Sequence, residues 1–232
     1  MKKGLFISIE GGEACGKSTQ VKLLKEYIDT LPNKDDFIFI REPGGTPLGE
    51  EIRKLLLDYT ENKPLPMTEL LLFCASRHQI VEEVIKPALA QGKTVIADRF
   101  YDSTVAYQSA ARGIMSIPNI LNLTKLVIGD LKPDKTFYFK LEPEEAFKRK
   151  SNCGPLDRIE LEGMAFHQKV AQGYDYMANL ESDRFIIIDA SKSIEDVAKQ
   201  FQAEFNALIK PRHRKGKCAG NKQCKIEDEI EK

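Results

Sequence analysis

Gly11-Gly12-Glu13-Ala14-Cys15-Gly16-Lys17-Ser18 decides the fold of this chain, because it fits G-x-x-x-x-G-K-[ST], the pattern of a phosphate-binding P-loop. Residues 5–9, just before it, are short, apolar and partly β-branched, as a buried strand should be. Apolar residues at 21, 23, 24, 27 and 28 fit one side of an amphipathic helix. Strand, glycine loop and helix follow in the order that the motif needs, which argues against a chance glycine turn with a surface lysine.

The P-loop pattern predicts a bound triphosphate. Glycines let the backbone wrap round a phosphate, and the helix N-terminus turns N–H groups and its positive dipole end towards the anion. Lys17 would reach the β- and γ-phosphates, and Ser18 would hold Mg²⁺. Glu13 would contact the metal or a second substrate, or else be a solvated acid. We assign ATP binding to Gly11, Gly12, Glu13, Ala14, Cys15, Gly16, Lys17, Ser18 and Thr19.

Length and composition predict one globular domain without a membrane span. The chain has 232 residues, of which 42% are hydrophobic and 30% charged, and its formal net charge is zero. A neutral chain has no overall attraction to nucleic acid or membrane, so we expect neither as a partner. No apolar run approaches the roughly 18 residues of a membrane span, and we expect no signal peptide. The five scattered cysteines do not suggest a disulfide framework and fit a reducing cytoplasm.

Five short apolar stretches alternate with helical patterns, which predicts an α/β fold. The stretches are residues 5–9, 37–40, 94–97, 136–141 and 185–188. This alternation is typical of a parallel sheet covered on both faces, so we expect the three-layer P-loop NTPase fold with a five-stranded parallel sheet. Ligands bind such sheets at the carboxyl ends of the strands. The P-loop, Arg41-Glu42-Pro43 and Asp98-Arg99 follow three of the strands, so we expect them to converge.

The helical patterns cover about residues 48–56, 68–90, 103–111, 117–128, 157–180 and 194–208, and residues 142–145 open a short further helix. In the first pattern, we expect Leu48, Ile52, Leu55 and Leu56 to share one face. Pro87 predicts a kink or an early end of the second.

The predicted domain covers residues 1–209, with a helical lid at about 146–160. Pro211 breaks the last helical pattern, and residues 210–225 carry seven Lys or Arg but no Asp or Glu. Residues 210–232 are therefore predicted to be a flexible basic tail. Cys218 and Cys224 within it do not match the spacing of a zinc site.

Asp98 and Arg99 are candidate ligands at a strand end beside the P-loop. A carboxylate at this place can bind Mg²⁺ directly or through water, or it can cap the next helix. Arg99 can clamp a phosphate through two N–H groups, or form a salt bridge to a nearby acid.

Four segments together resemble the thymidylate kinase family. They are residues 10–19, residues 41–46, residues 98–100 with Ser103 and residues 106–108, and residues 156–160, and the resemblance covers about residues 4–209 in the family's order. It implies transfer of a phosphoryl group from ATP to dTMP with Mg²⁺, giving ADP and dTDP for dTTP biosynthesis. It also implies the five-stranded nucleoside monophosphate kinase core, a homodimer, and a cytoplasmic enzyme of the bacterial kind.

The resemblance also implies an acceptor site. Phe73 would stack on thymine, Arg77 would read its polar edge, and Tyr107 would crowd the 2′ position and so favour deoxyribose. From the residues alone, Phe73 and Tyr107 could equally be core residues and Arg77 a solvated one. The residues implied to bind dTMP are Phe73, Arg77, Arg99, Ser103, Tyr107, Gln108, Arg41 and Glu42.

The chain departs from the family in its catalytic arginine. One subgroup places this arginine in the P-loop, where this chain has none, and the other places it in the lid, where Cys153 stands at the expected position. The charge would then come from Arg149, Arg158 or Lys150, or the contribution of such a charge would be weak. We favour Arg149, which could also be part of a solvated basic helix end. The predicted catalytic residues are Lys17, Arg99, Arg149 and Glu13.

Two other functions fit parts of the sequence. The first is a kinase for another pyrimidine monophosphate. The second is an ATP-binding switch or a nucleic-acid-associated protein that uses the basic tail. The chain has no N-K-x-D guanine motif, which weakens the switch interpretation.

Overall fold

Five parallel strands form one sheet within the part of the chain that the computed structural model describes, residues 4–58, 63–150 and 158–217. The strands lie in the order β2-β3-β1-β4-β5, and every neighbouring pair is parallel. Their bounds are β1 (Leu5–Gly11), β2 (Phe37–Arg41), β3 (Thr94–Asp98), β4 (Lys135–Lys140) and β5 (Phe185–Asp189). The predicted five-stranded parallel sheet is therefore confirmed.

Helices cover both faces of the sheet. They are α1 (Lys17–Asp29), α2 (Pro47–Leu57), α3 (Pro66–Ile80), α4 (Lys86–Ala90), α5 (Tyr101–Thr104), α6 (Ile117–Ile128), α7 (Pro143–Lys150), α8 (Met164–Leu180) and α9 (Ile194–Lys217). A π-helical segment, Val81–Ile85, joins α3 to α4, and a second, Val105–Ala111, continues α5. None of the helices in the described ranges is long and apolar enough to cross a membrane.

The side chains of β1 point alternately to the two faces of the sheet and contribute to two layers of apolar core. Phe6 packs into the layer beneath α3, α6 and α8, whereas Ile7 and Ile9 pack into the layer beneath α1 and α9. Successive side chains of a strand point to opposite faces, so one strand supplies both layers. This is the predicted three-layer arrangement.

The expected apolar face of α2 is wrong for two of its four residues. Ile52 and Leu56 are buried, but Leu48 and Leu55 are 53% and 61% exposed. Leu55 precedes Leu56 by one residue, which is about 100° round a helix, so the two cannot share a narrow face. The buried side of α2 consists of Gly49, Ile52 and Leu56.

Three other helix predictions need correction. The helix predicted from residue 157 begins only at Met164, because residues 158–163 form turns. Of the two outcomes predicted for Pro87, the early end is wrong, because α4 runs on to Ala90, and the helix is instead π-helical over the residues just before α4. α9 continues past Pro211 to Lys217, because a proline removes one main-chain hydrogen bond and a helix can persist beyond it. Cys218, Cys224 and the rest of the predicted tail lie outside the described residues.

Candidate active site

The P-loop turns sharply between β1 and α1. Ala14 has φ 52° and Gly16 has φ 83°, both in the left-handed region, and α1 begins at the next residue, Lys17. A Cβ on Gly11 would lie 2.8 Å from the carbonyl oxygen of Phe139 and 2.9 Å from the Sγ of Cys15, so only glycine fits there. The loop therefore has the backbone that the phosphate-binding motif requires.

Asp98 lies beside the P-loop because β3 pairs with β1. The strand register places Asp98 next to Ile9, and Nζ of Lys17 lies 3.6 Å from Oδ1 of Asp98. That buried oxygen has no hydrogen-bond partner within the described ranges. Helix α5 starts at Tyr101 with Phe100 as its N-cap, so Asp98 does not cap it. The carboxylate is thus placed to meet a cation at the phosphate-binding loop.

Arg99 and Glu13 form a partly buried ion pair between the P-loop and the neighbouring part of the site. Nη2 of Arg99 donates to Oε1 of Glu13 at 2.8 Å, and the hydroxyl of Tyr107 donates to the same oxygen at 2.6 Å. Burial alone would raise the pKa of Glu13, but Arg99, Lys17 and Tyr107 outweigh it and lower that pKa to about 2. Glu13 is therefore an ionised, hydrogen-bonded group rather than a solvated acid.

A single cleft of about 390 Å³ joins the P-loop to the predicted acceptor residues. Lys17, Ser18 and Asp98 line one end. All the residues implied to bind the acceptor line the same cleft: Arg41, Glu42, Phe73, Arg77, Arg99, Ser103, Tyr107 and Gln108. Segments from β2, α3, β3 and the π-helical segment after α5 thus meet at one sheet edge, as the strand-end rule predicts.

Glu42 holds Arg77 in this cleft. Nε of Arg77 donates to Oε2 of Glu42 at 2.7 Å, and Nη1 donates to the Thr104 hydroxyl at 2.8 Å. Burial raises the pKa of Glu42 to about 7, although Arg77 opposes the rise. Arg41 is more exposed and pairs with Glu50 of α2. Within the described structure, Glu42 therefore orients a neighbouring arginine as well as lining the cleft.

The model of the thymidylate kinase family matches residues 9–201. The chain belongs to the thymidylate kinase family. It is 45% identical to the thymidylate kinase of Kosmotoga olearia over 206 residues, which are 89% of this chain and 97% of that protein. The thymidylate kinase of Chlorobium chlorochromatii is 44% identical over 217 residues, covering 89% and 96% of the two chains.

A solved structure agrees with the sequence relatives. The crystal structure of thymidylate kinase from Ehrlichia chaffeensis matches with a TM-score of 0.67 and 32% identity, over 88% of this chain and 99% of that one. The family predicted from the four motifs is confirmed. Neither alternative function, a kinase for another pyrimidine monophosphate or a switch or nucleic-acid-associated protein, is supported by these comparisons.

Two site residues were missed by the sequence analysis. Arg53 of α2 lines the cleft, and its Nη1 donates to the carbonyl oxygen of Pro43 at 2.8 Å. Glu69 of α3 is buried and accepts from Nε2 of Gln108 at 3.2 Å. A basic residue nearly two turns into the helix after the Arg41-Glu42-Pro43 loop was a usable signal for Arg53. Nothing local marks Glu69, because its partners are distant in the chain.

Two of the three residues that could replace the missing catalytic arginine in this member of the thymidylate kinase family, Arg149 and Arg158, have different surroundings. Arg158 is buried, donates to the carbonyl oxygen of Leu56 at 3.0 Å and pairs with Glu69, so these contacts anchor the end of the segment predicted to be a lid. Arg149 donates to the carbonyl oxygens of Ala190 and Ser191 at 2.9 and 3.3 Å. The side chain of Lys150 and all of Cys153 lie outside the described residues. The catalytic role of Arg149 stays a prediction.

Proposed function

We propose that this chain transfers the γ-phosphoryl group of ATP to dTMP, giving ADP and dTDP for dTTP biosynthesis. The observation that carries the proposal is the single cleft that joins Lys17 of the P-loop to the predicted nucleoside residues Phe73, Arg77 and Tyr107. Membership of the thymidylate kinase family supports the same reaction.

Positioning and charge supply most of the catalysis in phosphoryl transfer, because the transition state spreads negative charge over the transferring group. Lys17 would neutralise charge on the donor phosphates, and Arg99 would hold the acceptor phosphate. The guanidinium of Arg99 is fixed before any ligand arrives, by hydrogen bonds to the Gly11 carbonyl at 2.9 Å and to Glu13 at 2.8 Å. Preorganised charge costs no rearrangement during the reaction.

Gln108 would distinguish thymine from cytosine. One N–H of its amide nitrogen donates to the carboxylate of Glu69, which can only accept, so the nitrogen end of the amide faces Glu69 and its carbonyl oxygen would face the base. An oxygen acceptor suits the ring N–H of thymine or uracil, whereas the corresponding nitrogen of cytosine is itself an acceptor. Phe73 would supply the face on which the base stacks.

Magnesium would bind between Asp98, Ser18 and the phosphates of ATP. The buried Oδ1 of Asp98 fits a cation, because no described residue gives it a hydrogen bond. The described residues contain no cluster of three or more His, Cys, Asp or Glu side chains that could hold a metal. Mg²⁺ is commonly bound by one or two carboxylates together with water and substrate phosphates, so two protein ligands, Asp98 and Ser18, are enough for such a site. The ion would neutralise phosphate charge.

Rates with four acceptors test the proposal. With ATP and Mg²⁺ held constant, kcat/KM is measured for dTMP, dUMP, UMP and CMP by following ADP release. We expect dTMP to be the best substrate and CMP the worst, since CMP lacks the ring N–H and carries the 2′-hydroxyl that Tyr107 would exclude. A preference for UMP or CMP would contradict the proposal.

We further propose that the chain forms a homodimer through the face of α2, α3 and α6. These helices pack side by side, and each carries an exposed leucine: Leu55, Leu71 and Leu126, the last of them 85% exposed. Large exposed apolar side chains on neighbouring helices are typical of an interaction site. The reaction is proposed to take place in the cytoplasm, where Cys15 and Cys74, both free and buried, would stay reduced.

Leu126→Lys is expected to weaken self-association roughly 10- to 100-fold, because it places a charge in an apolar interface. Light scattering after size-exclusion chromatography, over a range of concentrations, gives the oligomeric state. Leu180→Lys is the matched control, since Leu180 is 54% exposed but lies at the end of α8. If both variants stay dimeric at the same concentrations, the dimer does not use this face.

A further inference from the structure

Glu10 is a fully buried carboxylate beneath the acceptor end of the cleft. It is the penultimate residue of β1, and both of its oxygens accept hydrogen bonds. Oε1 accepts from the main-chain N–H of Phe100 at 2.7 Å and from the Ser8 hydroxyl at 3.1 Å. Oε2 accepts from the hydroxyls of Ser103 at 2.7 Å and Tyr174 at 3.1 Å. Burial of a carboxylate costs free energy unless hydrogen bonds compensate, so the groups that hydrogen-bond to Glu10 indicate its role.

The same two hydroxyls hold the side chain of Arg99. Nη1 of Arg99 donates to Ser103 at 3.2 Å and to Tyr174 at 2.9 Å. A hydroxyl has one proton and two lone pairs, and a carboxylate can only accept. Protons directed to Glu10 leave the lone pairs of Ser103 and Tyr174 for the guanidinium.

Glu10 also holds the backbone that carries Arg99. Arg99 has φ 71°, a left-handed conformation that is uncommon for a residue with a side chain. The next N–H, that of Phe100, donates to Oε1 of Glu10. The carboxylate therefore holds the turn at Arg99 and, through the two hydroxyls, adds to the contacts with Gly11 and Glu13 that direct its guanidinium.

We propose that Glu10 is a positioning residue for the acceptor phosphate: through Ser103, Tyr174 and the Phe100 N–H, it aims Arg99 at the 5′-phosphate of the nucleoside monophosphate. The inference rests on the proposed function, because it takes Arg99 as the ligand of that phosphate. Glu10 does not line the cleft and acts only through Arg99. Its removal should weaken binding of a phosphorylated acceptor and leave binding of the free nucleoside unchanged.

Glu10→Gln tests this distinction. The amide has the shape of the carboxylate but only one accepting oxygen, and its N–H groups would take the hydroxyl lone pairs that now face Arg99. Dissociation constants for dTMP and thymidine are measured by calorimetry at pH 8, above the value of about 7 to which burial and Asp102 raise the pKa of Glu10. Hydrogen bonds to charged groups suggest a loss of roughly 10- to 100-fold for dTMP. Thymidine binding should change less than about twofold.

Ser8→Ala is the matched control, because it removes a partner of Glu10 that has no hydrogen bond to Arg99 in the described structure, and the ratio of the two dissociation constants should not change. Tyr174→Phe removes one hydroxyl between Glu10 and Arg99, so it should lower dTMP affinity selectively, by less than Glu10→Gln. This variant decides the question if Glu10→Gln does not fold.

The inference would be overturned if Glu10→Gln weakened the binding of dTMP and of thymidine equally. It would also be overturned if Tyr174→Phe left the ratio of the two dissociation constants unchanged. Failure of the proposed function would look different, because the unsubstituted protein would then not phosphorylate dTMP.

Discussion

Lys17→Met is expected to lower kcat for phosphoryl transfer from ATP to dTMP by at least ~10³-fold, the scale seen when one preorganised charge is removed from such a site. Lys17 is buried at the start of α1, at the end of the cleft nearest the P-loop. A charge on a buried side chain acts more strongly than one in water, because the effective dielectric constant around it is lower. Methionine keeps much of the side chain's length and removes only the cation, so the loss would report the charge.

Lys22→Met is the matched control for this prediction. Lys22 lies on the same helix, but its side chain is 79% exposed and its only described ion pair is with Glu26. Surface charges of this kind contribute little, so kcat should stay within about twofold of the unsubstituted value. ADP release coupled to a dye-linked assay gives kcat, and thermal melting checks that both variants fold. If Lys17→Met retained a tenth of the activity, Lys17 would not be the principal donor-side charge.

Glu69→Ala is expected to lower the free energy of unfolding by about 3–5 kcal/mol, the typical cost of removing one partner from a buried ion pair. Glu69 is buried in α3, accepts from Nε of Arg112 at 2.7 Å and pairs with Arg158. Removing it leaves the buried Arg158 without its carboxylate. The same change frees the amide of Gln108, so discrimination between dTMP and CMP should also fall.

The pH dependence of this loss follows from the pKa of Glu69. Burial alone would raise that pKa, but Arg158 and Arg112 outweigh it and hold the pKa below its ordinary value of 4.5. A carboxylate with a lowered folded-state pKa stabilises the fold fully above its ordinary pKa. The difference in free energy of unfolding between the unsubstituted protein and Glu69→Ala should therefore be complete above about pH 5, and it should shrink as the pH falls further below 4.5.

Urea unfolding at several pH values measures this difference. Glu82→Ala is the control, because Glu82 is half exposed and pairs with Lys86 one turn away, a contact worth less than about 1 kcal/mol. If Glu69→Ala and Glu82→Ala lowered the free energy of unfolding equally, the buried ion pair would stabilise the fold no more than the surface ion pair does.

Local sequence patterns predicted the parts of the site that lie at strand ends. The P-loop, Asp98 and Arg99 follow β1 and β3 directly, and parallel strands bring their carboxyl ends to one edge. The resemblance to the family added Phe73, Arg77 and the other acceptor residues, which do line one cleft. Both kinds of prediction bring their residues to one cleft because they depend on short segments whose order in the chain is informative, and the binding and catalytic roles of these residues stay predictions.

The supporting networks could not be predicted in this way. Glu10 and Tyr174 are 164 positions apart, and Glu69 and Arg158 are 89 apart. No periodicity links residues that are so distant in the chain. Glu10 and Glu69 are also buried, and buried positions are usually expected to hold apolar side chains. The turns at residues 158–163 were missed for the same reason, since Arg158 in that segment is held by Glu69 rather than by a helical pattern.

A crystal structure with dTMP and a non-hydrolysable ATP analogue tests the central claim most directly, because the claim is that one cleft holds both nucleotides for direct transfer. The account predicts the triphosphate on the P-loop with its γ-phosphate at Lys17, thymine against Phe73 and Gln108, and the dTMP phosphate on Arg99 in line with the γ-phosphate. Thymine bound outside the cleft, or a dTMP phosphate that does not contact Arg99, would contradict it.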